Sequence, residues 1–139
     1  MIRFLIGAMA AGLSLAAAIS MTEAQETPDW AVYHMDELAA EREANGGAYL
    51  PFFNTPSMSL GLYDLEAGAY DGQPVHERDE IYYIAIGSAV LLVGEEETPA
   101  RPGSIIFVRA GVPHRFEQIS EDLRVLVFFV PGRDQSSAD

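Results

Sequence analysis

The sequence predicts an all-β fold, a barrel or double-sheet sandwich, preceded by one short helix. Three observations carry that expectation. From residue 58 onward, short apolar runs alternate with glycine- or proline-bearing turns about every eight to twelve residues, the rhythm of short strands. The only stretch with paired helix start and stop signals lies upstream of them. The 139 residues include no cysteine, so a single domain must hold itself together by packing, without disulfides or thiolate zinc sites.

Residues 1–24 stand apart. Met1-Ile2-Arg3 precedes an apolar, small-residue run to Ser20, and Thr22-Glu23-Ala24 ends in residues that a signal peptidase accepts. This reads as a secretory signal peptide cleaved after Ala24, giving a periplasmic or secreted protein without stable membrane association. A retained anchor is the alternative, since a run of about 17 residues is at the short end of a bilayer span. Residues 25–57 form a lead-in. Asp36 is a candidate N-cap for a helix through residue 44, and Asn45-Gly46-Gly47 supplies the stop. With only Leu38 and alanines to bury, that helix belongs on the outside of the main body. Trp30, Tyr33, Phe52 and Phe53 are expected to cover one end of the core. His34 has no partner pattern and reads as a surface histidine.

Residues 58–131 hold the β domain. Strands are expected over 58–65, 81–86, 89–93, 104–108, 114–119 and 123–130, with 94–97 an acidic turn and 132–139 a disordered tail. The basic residues are all arginine, and the net charge is −13. Such acidity argues against nucleic-acid or anionic-membrane partners, which need clustered positive charge. The 123–130 strand is apolar on both alternating faces, so one face can pack in the barrel and the other against a second sheet or subunit.

Chemistry concentrates between residues 68 and 118. His76 and Glu80 are four apart and can share one face of a strand, and His114 follows a Gly111-Val112-Pro113 turn. Two imidazoles and one carboxylate form a facial triad with positions open to water or substrate, and suit Fe, Mn, Zn or Ni equally well. The same three residues could instead form a hydrogen-bonded polar cluster. Tyr82, Ile84, Ile86, Phe116 and Gln118 share their parity and are candidate pocket walls, Tyr82 and Gln118 being able to hydrogen-bond a ligand. Arg78, Arg109 and Arg115 either flank the mouth or pair with Glu77, Asp79 and Glu117.

These residues resemble the two motifs of the cupin superfamily. The first, G-x5-H-x-H-x3,4-E-x6-G, is met by Gly68, His76, Glu80 and Gly87, and the second, G-x5-P-x-G-x2-H-x3-N, by Gly103, Gly111 and His114. The chain is similar to small single-domain bacterial cupins, which implies a double-stranded β-helix (jelly-roll) barrel and a homodimer. Pro74 stands where the family has its first histidine ligand, and Arg109 and Gln118 replace the motif's proline and asparagine. Gln73 lies beside the gap, but strand parity would point it away from His76. The resemblance implies one divalent metal on His76, Glu80 and His114, and a dioxygenase- or isomerase-like enzyme acting on a small molecule. A non-catalytic small-ligand module with weak or no metal is the alternative, because no general base beyond the ligands is identifiable and catalytic residues stay unassigned.

Overall fold

The apolar runs pair as antiparallel strands and stack as two sheets. A computed structural model describes residues 27–132; the leader expected over 1–24 and residues 133–139 of the expected tail lie outside the described residues. Helix α1 spans Met35–Asn45, and eight strands follow: β1 Tyr49–Asn54, β2 Ser59–Leu65, β3 Asp79–Ile86, β4 Ala89–Val93, β5 Glu96–Ala100, β6 Ile105–Val108, β7 His114–Glu117 and β8 Leu123–Val130. The larger sheet has the order β1-β2-β8-β3-β6 and the smaller β5-β4-β7. This is the expected jelly-roll architecture.

The helix begins one residue before the expected cap. His34 occupies the N-cap without a side-chain bond, and Asp36 and Glu37 fall in the first turn, where their charge complements the helix dipole. Gly46, at φ 72°, ends the helix by donating to the Arg42 and Glu43 carbonyls. Leu38 then packs with Leu50 and Leu62 in a small cluster on the outer side of the larger sheet. Tyr33 meets Phe52 edge-on at 4.9 Å, but Trp30, expected as a core cover, is 79% exposed. Gly132, expected to open the tail, is buried and donates to the Pro56 carbonyl at 3.3 Å.

Two strands escaped the sequence reading. β1 and β5 each contain a proline, Pro51 and Pro99, and each is an edge strand. Proline lacks the N–H for a central ladder, so edges are where it is tolerated. The expected 94–97 turn therefore narrows to Gly94-Glu95, with Glu96 and Glu97 already in β5.

The core lies between the sheets. Along β8, Leu123, Val125, Val127 and Phe129 are buried, and β3 sends Tyr82 and Ile84 to meet them. Leu91 and Phe116 close the core from the smaller sheet. The opposite face of the larger sheet leaves Ile81, Tyr83, Ile105, Phe107 and Val130 exposed. Gly87, between β3 and β4, combines φ 84° with an approach so close that a Cβ would collide with the Asp122 carbonyl.

Gly87→Ala should therefore lower the free energy of urea unfolding by about 2 kcal/mol or more, strain and clash together. Gly94→Ala, equally left-handed but with open space around it, should lose only the strain of about 1–2 kcal/mol.

Candidate functional site

Glu80 enters from the larger sheet and His114 from the smaller, so the site spans the two layers. Backbone bonds hold the turn before β7 against the segment leading into β3. Gly111 N–H donates to the His76 carbonyl at 2.8 Å, and Ala110 N–H to Asp79 Oδ1 at 2.9 Å. His114 Nε2 consequently lies 3.0 Å from Glu80 Oε2, and His76 Nε2 lies 3.5 Å from Glu80 Oε1. The three expected residues do converge on one carboxylate. Glu80 is 1% exposed, and its Oε1 is buried with no hydrogen-bond partner.

Tyr82, expected as a wall, stands at the centre of the cluster. Its hydroxyl makes a short hydrogen bond with Glu80 Oε2, lies 2.7 Å from His114 Nε2, and reaches Gln73 Oε1 at 3.1 Å. Burial, followed by the charge and hydrogen bond of Glu80, raises the Tyr82 pKa well above the usual phenol range. The His76 and His114 rings stay 6.3 Å apart. As arranged, then, Glu80, Tyr82 and His114 form a hydrogen-bonded cluster with His76 in ion-pair range of Glu80; among the described residues no group of three or more His, Cys, Asp or Glu forms a ready metal cage.

Hydrogen-bond polarity tests whether a cation fits there. His114 Nδ1 lies 2.8 Å from the Val112 carbonyl, which only accepts, so Nδ1 carries a hydrogen. In a neutral ring that leaves the Nε2 lone pair facing Glu80 Oε2 at 3.0 Å, one acceptor against another. The single Tyr82 proton cannot satisfy Glu80, His114 and Gln73 together. The cluster is short of one positive charge, which a proton on Nε2 or a metal ion would supply. Burial lowers the His114 pKa, but the bond to Glu80, the Val112 carbonyl and the nearby carboxylates outweigh it and hold the ring above its ordinary value. The donor types and the orphaned Glu80 oxygen fit a divalent ion, and the Val112 bond orients the ring as metal-binding histidines are usually oriented.

Asp71 carries the supporting structure, and sequence reasoning missed it. This 2% exposed carboxylate accepts from Tyr63 Oη (2.6 Å) and Gln73 N (3.1 Å) at Oδ1, and from Gln73 Nε2 (2.8 Å) and Phe116 N (2.8 Å) at Oδ2. The Gln73 amide is thereby oriented, presenting Oε1 to Tyr82. Strand parity had turned Gln73 away, but no residue of 66–78 lies in a strand, so period-two alternation does not apply there.

A cavity of about 390 Å³ opens beside the cluster, lined by Gln73, Pro74, His76 and Tyr82 together with Tyr49, Tyr63, Val127 and Phe129. Of the expected wall residues only Tyr82 lines it. Ile84 and Phe116 are core, Ile86 is exposed, and Gln118 sits exposed at φ 48° just after β7, where the chain leaves the strand and parity no longer holds. Arg115 pairs with Glu117, as expected of a surface arginine. Arg78 lies over the Phe129 ring at 4.2 Å and donates to Ser59 Oγ at 3.0 Å.

Comparison with known proteins agrees with this architecture. The family profile described as "Cupin domain" matches residues 61–130. The uncharacterized protein SCO3923 of Streptomyces coelicolor is 52% identical over 99 residues, covering 71% of this chain and 94% of the relative. Among solved structures, the TT1209 protein of Thermus thermophilus is 35% identical, with TM-score 0.53 over 60% of this chain and 82% of that one. The DMSP lyase DddQ of Ruegeria pomeroyi is 27% identical, with TM-score 0.53 over 60% of this chain and 42% of that one.

The Asp71 latch makes a measurable expectation. Asp71→Asn turns an NH2 group toward at least one of the donors that the carboxylate now satisfies, and should lose about 1–3 kcal/mol in urea unfolding. Tyr63→Phe removes one of the donors and should lose only about 1 kcal/mol in the same measurement.

Proposed function

Because the chain belongs to the cupin domain family, we propose that it binds one divalent transition metal, Fe, Mn, Zn or Ni, through His76, Glu80 and His114. In this reading it moves protons on a small organic molecule held in the aromatic-lined cavity, as an isomerase-like enzyme. The observation that supports this most directly is the pair of acceptors, His114 Nε2 and Glu80 Oε2, facing each other at 3.0 Å in a buried site. A bound ion would supply Lewis-acid chemistry to an oxygen of the molecule. The chain's own part is proton handling. Tyr82 borders the cavity, and its hydroxyl touches Glu80, His114 and Gln73 at once. It holds a proton at the edge of the cavity and can act as a general acid or hydrogen-bond donor toward an oxygen of the bound molecule. Gln73 and His76 line the same cavity and can orient an oxygen function. A dioxygenase-like reaction would use no residue of the site beyond the metal ligands, so proton transfer accounts for more of what is there.

The direct contacts among Glu80, Tyr82, His114 and Gln73 support a second reading. If an imidazolium at His114 supplies the missing charge, the same cavity is a ligand-binding module without metal. Metal analysis separates the two. Protein purified without chelator should carry close to one Fe, Mn, Zn or Ni per chain by mass spectrometry, and His114→Ala and Glu80→Gln should carry less than about a tenth of that. Tyr82→Phe should keep the metal but lose native incorporation of deuterium from D2O into a pool of small ketones and enols. A native protein left substoichiometric after incubation with each of the four ions would overturn the metal reading.

Export and pairing belong to the same proposal. The leader-like 1–24 segment supports a periplasmic or secreted protein. The exposed apolar strip of Ile81, Tyr83, Ile105, Phe107 and Val130 supports a homodimer formed through the outer face of the larger sheet. Light scattering at micromolar concentration should give twice the chain mass, and Phe107→Asp should reduce it to one.

A further inference from the structure

Resting on the reading that this cavity is the ligand site, we infer that its occupant is an uncharged, mainly apolar molecule with few oxygen functions, and that Pro74 helps to select it. The walls are rings fixed against one another. Tyr49 meets Tyr63 at 6.4 Å and 67° and Phe129 at 6.5 Å and 80°, and Phe129 meets His76 at 5.1 Å and 68°. Such edge-to-face contacts build a fixed, mainly apolar aromatic wall against which a ring or hydrocarbon body can pack. Tyr49 is held there partly by Gly61, because any Cβ at that position would overlap its ring. The slot is therefore formed before anything binds, which limits the ordering lost on binding.

Polar groups are a minority of the lining. Of the nine lining residues, Tyr49, Tyr63, Gln73, His76 and Tyr82 carry polar side-chain atoms, and the Tyr63 hydroxyl is already donated to Asp71. A polyol would leave most of its hydroxyls against apolar walls, each desolvated without a partner. Among the described residues no Arg, Lys, Asp or Glu lines the cavity, so neither an anionic nor a cationic body finds its countercharge there.

Pro74 converts the remaining side. Where the family pattern has a polar ligand, this chain puts a ring of apolar carbon on the cavity wall. The face that a fourth ligand would occupy becomes a surface for the body of the bound molecule. At about 390 Å³ the cavity falls within the usual range for small-molecule sites.

The test uses the full chain after chelator treatment, so that a metal cannot rank the ligands. Isothermal titration with p-cresol, 4-methylbenzoate, phenyltrimethylammonium and glucose compares one uncharged planar alcohol with an anion, a cation and a polyol. p-Cresol should bind at least about tenfold more tightly than each of the others. Pro74 is exposed on its other side, so substitutions there should keep the fold by circular dichroism. Pro74→Asp should weaken p-cresol about tenfold or more, and Pro74→Ala should change it less than about threefold. No binding of p-cresol, equal or tighter binding of any other probe, or indifference to Pro74→Asp would each overturn the inference. Native protein without metal would leave this ranking intact, and a wrong ranking would leave the metal content intact, so the two readings fail separately.

Discussion

The site depends on a buried carboxylate that does not itself line the cavity. Asp71 draws together a hydroxyl from β2, a backbone N–H from β7 and both the backbone and side-chain amides of Gln73. An ionised carboxylate buried alone would be prohibitive, but one that accepts several good bonds is tolerated and rigidifies what it binds. Hydrogen bonds to charged groups contribute about 1.5–3 kcal/mol each, against about 1 for neutral pairs, so this latch outweighs any other polar contact of the connecting segment. Its consequence is directional. Asp71 can only accept, so Gln73 must offer its NH2 to Asp71 and its oxygen to Tyr82, and the Tyr82 proton has an acceptor even when Glu80 and His114 are otherwise engaged.

Glu80 presents the complementary constraint. It is as buried as Asp71, yet one of its oxygens has no hydrogen-bond partner and the other faces an imidazole lone pair. Structures keep such frustration where it serves a function, because replacement by an apolar residue would relieve it at no loss of packing. A proton and a metal ion compete for the same Nε2 position. In the proposed metal reading, loading would depend on whether ligation by two imidazoles and a carboxylate outweighs the Tyr82 bonds to those atoms, and Pro74, where the resemblance implies a fourth ligand, would make that balance closer than in a four-ligand site.

Much of this was legible in the chain. The spacing of His76, Glu80 and His114 between glycines located the cluster, and the β4 and β8 boundaries matched their apolar runs. What failed did so for identifiable reasons. β1 and β5 were hidden because Pro51 and Pro99 read as breakers, while edge strands accept them. Gln73 and Gln118 were misplaced because period-two parity was extended beyond the strand ends. Asp71 carried no signal at all, since an aspartate between Tyr70 and Gly72 reads as a turn former, and only the folded chain brings Tyr63 and Phe116 to it. Tyr82 was read as wall rather than centre because sequence gives the face a residue points to, not how far its side chain reaches.

Register ties the site to the rest of the molecule. On β3, Glu80, Tyr82 and Ile84 face inward while Ile81 and Tyr83 face outward, so a slip of one residue would turn the Glu80 carboxylate outward and bring Ile81 and Tyr83 in where no cluster partner is placed for them. β8 prevents this by pairing along nearly the whole of β3, Glu80 opposite Phe129 and Ile84 opposite Val125, with β6 repeating the constraint through Glu80 and Val108. Phe129 and Val127 serve twice, fixing that register from the core and forming the apolar wall of the cavity. The shape of the cavity and the placement of the Glu80, Tyr82 and His114 cluster are thus two results of one strand alignment. A change in β8 that relaxed the pairing would blunt both together, whereas a change at Pro74, outside every strand, reaches only the slot.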